Sequence, residues 1–589
     1  MSISSEISRI SGNITDSLAA VAAKGVTVPS GSNSDDLPEL IAQISTTSNS
    51  AAVTIVDTQD SAGGTIRKII GVNIGDTTAT AADVAAGKYF YTAAGVKTAG
   101  TATGGGSGSG GSVYQDANGY IVLSPSGTPF AAEKDVNFID YDGTILYSYT
   151  AQEAQALTAL PANPTHTGLT SQGWNWALAD IKSQLTNVGG KVWVGQNYIT
   201  TSGDTEIDFT LEAGYLSPYL QISPSGTVTI DWGDNSATET ATGSNSNIWV
   251  QHTYASPGSY TLKRTPVDNA TFGFYVSSDS YSSVFSIKNS AEKAVTYSRT
   301  ITAIRIGTGF LIKNCSFSRL YNLKTITMPS GTAFINSSTF TYCFSLLSFT
   351  IPSGATTVPS SAFNYSYNIK NVSIPKSVTS ISSSAFTTCF SIKELTIPYG
   401  VTSIKSSAFS FCYGMKYLAI PSTVTEFANY AFQNCYNITN LTIPSGTTKI
   451  YSSMISYCHS LKTFNIPNTV TEIQSSAFSN CQGIVSITIP SSVTTIGNNA
   501  FQYMNSLTSL TIPSSVTSIG NYVFSNCSQM DEYHFQRETP PTIGTTIFNG
   551  IKSDCIIYVP YSADHSVLSN YKTASNWSEY ADYIQEEPQ

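Results

Sequence analysis

The nine cysteines are the residues of this sequence whose type and spacing first suggest chemistry. Seven of them stand at multiples of 23 residues from one another: Cys343, Cys389, Cys412, Cys435, Cys458, Cys481 and Cys527. Zinc sites use CxxC pairs or Cys/His clusters with ligand spacing, and the sequence contains neither. Even spacing is typical of one small buried thiol per unit of a repeat. We therefore expect a structural column of thiols.

Histidines and carboxylates give no catalytic pattern. The five histidines are scattered along the chain: His166, His252, His459, His534 and His565. None lies in a nucleophile elbow, a zincin motif or a phosphate-binding loop. Asp231 and Asp234 suggest a calcium site, but few further oxygen ligands lie near them, and hydrogen bonds to turn amides are the simpler expectation. We therefore predict a protein that is not an enzyme and uses no cofactor and no metal.

The element that positions the cysteines is a 23-residue repeat between Leu323 and Phe535. Prolines recur at this interval: Pro329, Pro352, Pro375, Pro398, Pro421, Pro444, Pro467, Pro490 and Pro513. Each proline follows an apolar triplet, and a phenylalanine usually stands eleven residues later. The last two residues of the triplet alternate like a short strand with one buried face. A period this strict predicts a solenoid with one repeat, or rung, stacked on the next.

The rung sequence identifies a family resemblance. The pattern from Ile484 to Phe501, IVSITIPSSVTTIGNNAF, resembles the leucine-rich repeats of the BspA-like class. The resemblance implies a curved right-handed solenoid used for adhesion and recognition, without catalysis. Ser366 and Met504 replace the cysteine, and Ile455 replaces the phenylalanine. These small or apolar substitutions are expected to leave the fold intact.

Composition limits the classes of partner. Charged residues are only 11% of the 589 residues, and the formal net charge is -10. This balance argues against nucleic acid, because phosphates require a basic surface. No apolar run approaches the roughly 18 residues of a membrane-spanning helix, so we expect no membrane insertion.

The first residues of the chain suggest an oligomerisation seam. Ile3, Ile7, Ile10 and Ile14 alternate at spacings of four and three, and isoleucine at both core positions favours three strands. A homotrimer is one expectation, and a single amphipathic helix lying on its own domain is the other. The sequence opens without a basic and apolar signal segment, which predicts synthesis in the cytoplasm without a signal peptide.

The predicted fold is multidomain and mainly β. Residues 1–103, a partly helical region, resemble the N-terminal region of tail proteins from phages and prophages of Gram-positive gut bacteria, which implies attachment to a virion. Residues 104–112 are a Gly/Ser linker, and 113–203 read as a small α+β domain. Residues 204–290 resemble a PKD-type β-sandwich in their element Asp231-Trp-Gly-Asp-Asn. That resemblance implies a spacer with Trp232 in the core.

The remaining boundaries follow from the repeat. Residues 291–322 are expected to form an N-terminal cap on the leucine-rich repeats of 323–535. Residues 536–589 are expected to form the C-terminal cap, in which a strand and a helix close the array.

Aromatic residues are unusually frequent beside the cysteine slot of the first six rungs. The candidate ligand-binding residues are Tyr342, Phe344, Tyr365, Tyr367, Phe390, Phe411, Tyr413, Tyr436, Tyr457 and His459. Later rungs carry mainly Asn, Gln and Ser there, with Tyr503 as the exception. Exposed aromatic stripes mark binding surfaces. The alternative is that these rings pack under a neighbouring loop or chain.

Lysines form a second periodic set. Lys324, Lys370, Lys393, Lys416 and Lys462 each follow the first residue of an apolar triplet. They either solvate an otherwise uncharged strand edge or bind an anionic wall polymer such as a teichoic acid.

The features together predict a phage tail or tail-fibre adhesin, a receptor-binding protein exposed on the virion. Its expected partners are a host cell-surface glycan or protein and, through the N-terminus, other tail proteins. One alternative is a virion structural or decoration protein whose solenoid packs against neighbouring subunits. Another is a bacterial surface adhesin, against which stand the missing signal segment and the lack of an LPxTG-type motif near Gln589.

Overall fold

The computed structural model describes residues 134–589, except 246–247, 274–284, 287–298, 313–316 and 333–335, together with six strands nearer the N-terminus. These strands form antiparallel pairs: β1 (Val53–Gln59) with β2 (Thr65–Val72), β3 (Tyr89–Tyr91) with β4 (Lys97–Ala99), and β5 (Val113–Gln115) with β6 (Ile121–Leu123). The chain divides into two units, Met1–Glu133 and Lys134–Gln589. The predicted trimer seam of Ile3, Ile7, Ile10 and Ile14 and the linker 104–112 lie outside the described residues.

The second unit opens with a small α+β layer. Its elements are β7 (Val136–Ile139), β8 (Ile145–Tyr149), α1 (Ala151–Ala156), β9 (Leu169–Trp174), α2 (Leu178–Asn187) and β10 (Val192–Thr200). The strand order is β8-β7-β10-β9, and β7 and β10 are parallel. Thr150 and Glu153 form a capping box that starts α1. Phe138 and Ile181 are fully buried between the sheet and the helices.

A β-rich layer follows and leads into the solenoid. It contains β11 (Thr205–Leu211), β12 (Tyr219–Asp231), β13 (Glu239–Ser244), β14 (Ile248–Gln251), β15 (Gly258–Pro266), β16 (Thr271–Gly273), β17 (Phe285–Ser286) and β18 (Ile301–Arg305). Trp232 is buried, with 1% of its surface exposed. Asp231 and Asp234 accept hydrogen bonds from the backbone amides of Gly233 and Ser236 at 2.9 and 3.0 Å. Both carboxylates therefore hold turns, and the PKD-type identity of this layer stays a prediction.

The solenoid is built on two parallel strand ladders. The first contains β19 (Thr325–Thr327), β20 (Ser348–Thr350), β22 (Asn371–Ser373), β25 (Tyr417–Leu418), β26 (Asn440–Leu441), β28 (Thr463–Asn465), β30 (Ser486–Thr488), β32 (Ser509–Ile512), β34 (Glu532–Phe535) and β36 (Ile556–Val559). The second contains β21 (Thr357–Val358), β23 (Ser380–Ile381), β24 (Ser403–Ile404), β27 (Lys449–Ile450), β29 (Glu472–Ile473), β31 (Thr495–Ile496), β33 (Ser518–Ile519) and β35 (Thr542–Ile543). Paired residues up to β33 lie 23 positions apart, so the predicted leucine-rich repeat solenoid and the mainly β class are confirmed.

Phenylalanine and cysteine columns fill the solenoid core. Phe386 and Phe409 are fully buried and stack with ring centroids 5.5 Å apart. The thiol of Cys435 donates to the carbonyl of Phe409 at 3.2 Å, and burial raises the pKa of Cys435 to about 12. The thiols are therefore neutral core groups, and the predicted thiol column is confirmed. Ser366, Met504 and Ile455 are also fully buried in their slots.

The stack continues beyond Phe535, where the sequence period ends. Phe548 stacks on Phe524 at 5.5 Å although the two are 24 residues apart, and β35 pairs with β33. Because this rung contains one extra residue, it falls outside the 23-residue period of the sequence. Beyond β36 come α3 (Ser566–Thr573), a 3₁₀ helix (Ser578–Tyr583) and β37 (Ile584–Glu586), which pairs with β36.

At the other end, β18 joins the solenoid to the preceding layer. It pairs antiparallel with β11 and parallel with β19, so one sheet runs from that layer into the first rungs. Among the described residues, no helix has the length and apolar character to cross a membrane.

The α+β layer docks on the strand face of the early rungs. The side-chain amide of Asn175 donates to the carbonyl of Ile351 at 3.0 Å, and the hydroxyl of Ser373 donates to the carbonyl of Trp193 at 2.7 Å. A Cβ atom on Gly195 would lie 2.1 Å from the Thr350 hydroxyl, so only glycine fits at this contact. The hydroxyls of Ser373 and Thr396 in the early rungs are therefore buried and hydrogen-bonded, whereas those of Ser348 and Thr350 are buried without a hydrogen-bond partner among the described residues.

Candidate recognition surface

Alternate backbone amides beside the cysteine slot point toward the next rung. The amides of Phe409 and Phe411 donate to the carbonyls of Ala431 and Gln433 at 2.9 and 2.8 Å. The amide of Cys412 turns back to the carbonyl of Phe409 in its own rung, at 3.3 Å. This alternation links successive rungs by backbone groups alone, whatever the side chains are.

The residue before the cysteine slot has a left-handed backbone in every rung. Its φ angle is +60° at Phe411 and lies between +57° and +66° at the equivalent positions. This conformation costs an ordinary side chain roughly 1–2 kcal/mol, whereas asparagine tolerates it. Asn434, Asn480 and Asn526 fill the slot in three rungs. Four early rungs carry an aromatic residue there, which we call the αL row: Tyr342, Tyr365, Phe411 and Tyr457; in the late rungs Tyr503 occupies the same position.

The residues after the cysteine slot form one continuous stack, which we call the aromatic column. Its members are Tyr321, Phe344, Tyr367, Phe390, Tyr413, Tyr436 and His459. Successive ring centroids are 4.7–5.0 Å apart, with interplanar angles from 2° to 27°. This distance matches the 4.7–4.9 Å between neighbouring strands. The rungs therefore hold the rings at stacking distance.

Stacking decides which part of each ring a ligand can reach. The rings of the column cover one another's faces, so they offer edges and phenol hydroxyls to solvent. The sequence left open whether these rings are exposed or packed under another segment, and the structure shows them half-buried against one another. Burial raises the pKa values of Tyr367 and Tyr413 and lowers that of His459. Burial therefore favours the uncharged forms of these three side chains.

The αL row contributes the more exposed rings. Phe411 and Tyr457 are 36% and 38% exposed. Tyr342 and Tyr365 are half-buried and stack on each other at 4.7 Å, and the Arg319 guanidinium lies 5.2 Å from the Tyr342 ring centroid. The structure thus brings all ten predicted aromatic candidates together on one side of the early rungs.

The lysine row lies on the exposed surface. Lys324, Lys370, Lys393, Lys416 and Lys462 are all exposed, and none of them forms an ion pair with the described part of the chain. The same slot holds Val485, Thr508 and Asp531 in later rungs.

Sequence reasoning missed two parts of this surface. Tyr321 belongs to the column, but Leu320 takes the cysteine slot beside it, so the slot pattern did not identify that rung. Tyr430 and Tyr522 are each 41% exposed at the other left-handed position of their rungs. No group of three or more metal-ligating side chains occurs within the described ranges.

Comparison with known proteins supports the repeat assignment. The profile for the BspA type leucine rich repeat region matches residues 266–370, 289–416, 356–485 and 456–571, which together exceed half of the sequence. The chain belongs to the BspA-type leucine-rich repeat family. No curated protein matches the sequence.

Several solved structures are similar to part of this chain at low sequence identity. A leucine-rich repeat protein from Bacteroides ovatus is 20% identical, with a TM-score of 0.38 over 49% of this chain and 85% of that one. A leucine rich cell surface protein from Faecalibacterium prausnitzii is 24% identical, with a TM-score of 0.31 over 44% and 72% of the two chains. The pneumococcal vaccine antigen PcpA is 17% identical, with a TM-score of 0.30 over 49% and 85%.

Proposed function

We propose that this BspA-type protein is a non-catalytic adhesin that recognises a host cell surface through the aromatic residues of its early rungs. The observation that carries the proposal is the αL row. Side chains kept in a costly backbone conformation concentrate at functional sites, where the strain serves a role that folding does not explain. Asparagine fills the same slot in neighbouring rungs without that cost. Recognition of a glycan or protein explains why aromatic residues occupy a position that asparagine would fill at lower cost.

The two aromatic sets have complementary chemistry for such a ligand. Phe411 and Tyr457 expose apolar ring surface that stacks on a sugar ring or an apolar side chain. Tyr367, Tyr413 and Tyr436 add phenol hydroxyls, which donate and accept hydrogen bonds. A surface of this composition suits a glycan or a protein loop better than a small molecule, because the rings are spread over several rungs.

We further propose that the protein is attached to a phage tail. The support is the resemblance of residues 1–103 to phage and prophage tail proteins, followed by a Gly/Ser linker that tethers the remaining domains. In this arrangement the N-terminus binds other tail proteins and forms a trimer through Ile3, Ile7, Ile10 and Ile14, and the intermediate layers act as spacers. Sedimentation of the full chain is then expected to give three chains, whereas a monomer would contradict the seam.

The test is a triple variant that copies the late rungs: Tyr365→Asn, Phe411→Asn and Tyr457→Asn. Fluorescently labelled full chain is incubated with a panel of intact Gram-positive gut bacteria, and bound protein is measured by flow cytometry. The wild type is expected to label at least one strain, and the variant to bind it at least about tenfold more weakly. The melting temperature should change little, because the relief of the left-handed strain offsets the lost ring contacts, such as that of Tyr365 with Tyr342.

Tyr503→Asn is the matched control. Tyr503 occupies the same slot with a φ of +59° and is 38% exposed, but it lies among the late rungs. Its replacement is expected to leave cell binding unchanged. Unchanged binding by the triple variant would move the recognition site away from the αL row, and failure of the wild type to bind any strain would contradict the adhesin function.

The second candidate is an adhesin on a bacterial surface. It is favoured by membership of the BspA-type family and by the cell surface protein among the similar structures. Immunogold labelling separates the two locations. Gold on phage tails supports the first, whereas gold on intact cells that carry no phage particles supports the second. A virion decoration protein would label particles yet bind no cells.

A further inference from the structure

We propose that the early half of the solenoid binds a linear polyanion, a cell-surface polymer whose repeating units carry phosphate or carboxylate groups. This inference rests on the proposed recognition function and names the chemical class of the ligand for the same surface.

Charge is distributed unevenly along the solenoid. Residues 319–462 contain nine lysines and arginines but only two acidic residues, Glu394 and Glu426. The later rungs, residues 463–560, contain two basic and five acidic residues. A chain with a net charge of -10 therefore carries a basic segment, and that segment coincides with the aromatic column. Local charge of this kind raises the concentration of anionic ligands at a surface.

The lysines of the row differ from the other lysines of the solenoid. Lys376, Lys405, Lys449 and Lys552 each form an ion pair with a neighbouring carboxylate. The row lysines have no such partner among the described residues, although they are exposed. Glu394, which follows Lys393 directly, is paired with Lys191 at 3.2 Å. The positive charge of the row is therefore left for an external anion.

Each row lysine is linked in sequence to one ring of the aromatic column. Lys324, Lys370, Lys393, Lys416 and Lys462 stand three residues after Tyr321, Tyr367, Phe390, Tyr413 and His459. Three residues span at most about 10 Å, so the backbone of each lysine lies within that distance of the backbone of the ring before it. The late rungs lack both: Gln482, Asn505 and Ser528 are followed by Val485, Thr508 and Asp531.

The period of the row favours a polymer over a small anion. Rungs repeat at about 4.8 Å, so the six steps from Lys324 to Lys462 extend roughly 29 Å along the solenoid. A single phosphate or carboxylate contacts one or two of these lysines, whereas a linear chain of anionic units contacts the whole row. The edges and hydroxyls of the column then lie beside the backbone or sugar of that chain.

The experiment measures binding of the full-length protein to immobilised polymers at 50 mM NaCl. The probes are poly(glycerol phosphate), polygalacturonate and neutral dextran of similar length. We expect binding to at least one of the two polyanions and none to dextran. The triple variant Lys370→Gln, Lys393→Gln, Lys416→Gln should bind at least tenfold more weakly, and 500 mM NaCl should weaken the wild type by a similar factor, because salt screens exposed charges.

The matched control is Lys405→Gln, Lys449→Gln, Lys552→Gln, which removes the same charge from paired positions and is expected to retain binding. Preference for the phosphate or the carboxylate polymer identifies the chemistry of the ligand, and either supports the inference. Equal loss in both triple variants or equal binding of dextran would overturn it. Cell binding that survives the lysine changes but is lost in the αL-row variant would refute this inference and leave the adhesin function standing.

Discussion

The early rungs, up to His459, and the late rungs, from Cys481 onward, share a core and differ at the surface. Phe409 and Phe501 are both fully buried in the phenylalanine column. Beside that core, the early rungs carry stacked rings and lysines without an ion-pair partner among the described residues, whereas the late rungs carry amides, hydroxyls and carboxylates. Because the late rungs stack equally well without rings, the fold does not require the aromatic column. The buried phenylalanine column is therefore required for the solenoid fold, whereas the aromatic column and the lysine row are not.

The largest expected effect tests whether the early and late rungs have equivalent cores. Phe409→Ala and Phe501→Ala should each lower the free energy of unfolding by about 3–5 kcal/mol, since both remove a buried ring and leave a cavity. Chemical denaturation of the full chain, monitored by circular dichroism, measures the change. A shift no larger than that of an exposed substitution such as Tyr522→Ser would contradict the core assignment.

A smaller effect tests where the halves differ. Tyr413→Ser interrupts the column between Phe390 and Tyr436, whose ring centroids both lie 4.7 Å from that of Tyr413. Aromatic pairs contribute about 0.5–1.5 kcal/mol each, so the loss of two should cost about 1–3 kcal/mol. The same unfolding measurement applies.

The converse change extends the column into the late rungs. Gln482→Tyr places a ring one rung beyond His459 and is expected to raise the free energy of unfolding by about 0.5–1.5 kcal/mol. Gln482→Ser is its control and should leave stability nearly unchanged. If the tyrosine variant were no more stable than the serine variant, the column would not be a stabilising stack.

The smallest expected effect concerns pH. Burial lowers the pKa of His459, so the unfolded chain takes up a proton more readily than the fold does, and stability should fall as pH drops below about 6.5. Burial also lowers the pKa of His534, but hydrogen bonds to Glu587 and Glu532 outweigh it and raise the pKa overall. His534 therefore stabilises the fold below about pH 6.5, and this stabilisation is lost as the pH rises through the raised pKa of the folded chain.

Melting curves at pH 5.5 and 7.5 check both directions. His459→Phe keeps a ring in the column and should reduce the loss of melting temperature on acidification relative to the wild type. His534→Gln should increase that loss, because it removes the contribution present at low pH. Changes in the same direction for both variants would contradict the opposite pKa shifts.

The repeat made part of this surface predictable. The 23-residue period placed Phe409 and Cys412 in the core, and it placed the neighbouring aromatics on one side of the stack. The left-handed backbone at Phe411 and Tyr457 was not predictable, because the sign of φ there follows from amide hydrogen bonds to the next rung. Stacking within the column was also missed, since slot position alone does not orient a ring.

The docked α+β layer left no local signal in the sequence. Asn175 and Ser373 are joined by a hydrogen bond between side chains 198 residues apart. Each residue is an ordinary polar residue within its own segment, and the sequence alone gives no indication that the two side chains are in contact.

That docking has a consequence during synthesis of the chain. The side-chain amide of Gln184 donates to the carbonyl of Ile397, 213 residues later, at 2.9 Å. At a translation rate of about 5–20 residues per second, the α+β layer emerges from the ribosome roughly 10–40 s before the rung that it contacts. Until the rungs that carry Thr350 and Thr396 emerge, the face of β10 that carries Trp193 and Gly195 lacks the partners that bury it. This face is therefore open to aggregation and to chaperone binding until its rungs arrive.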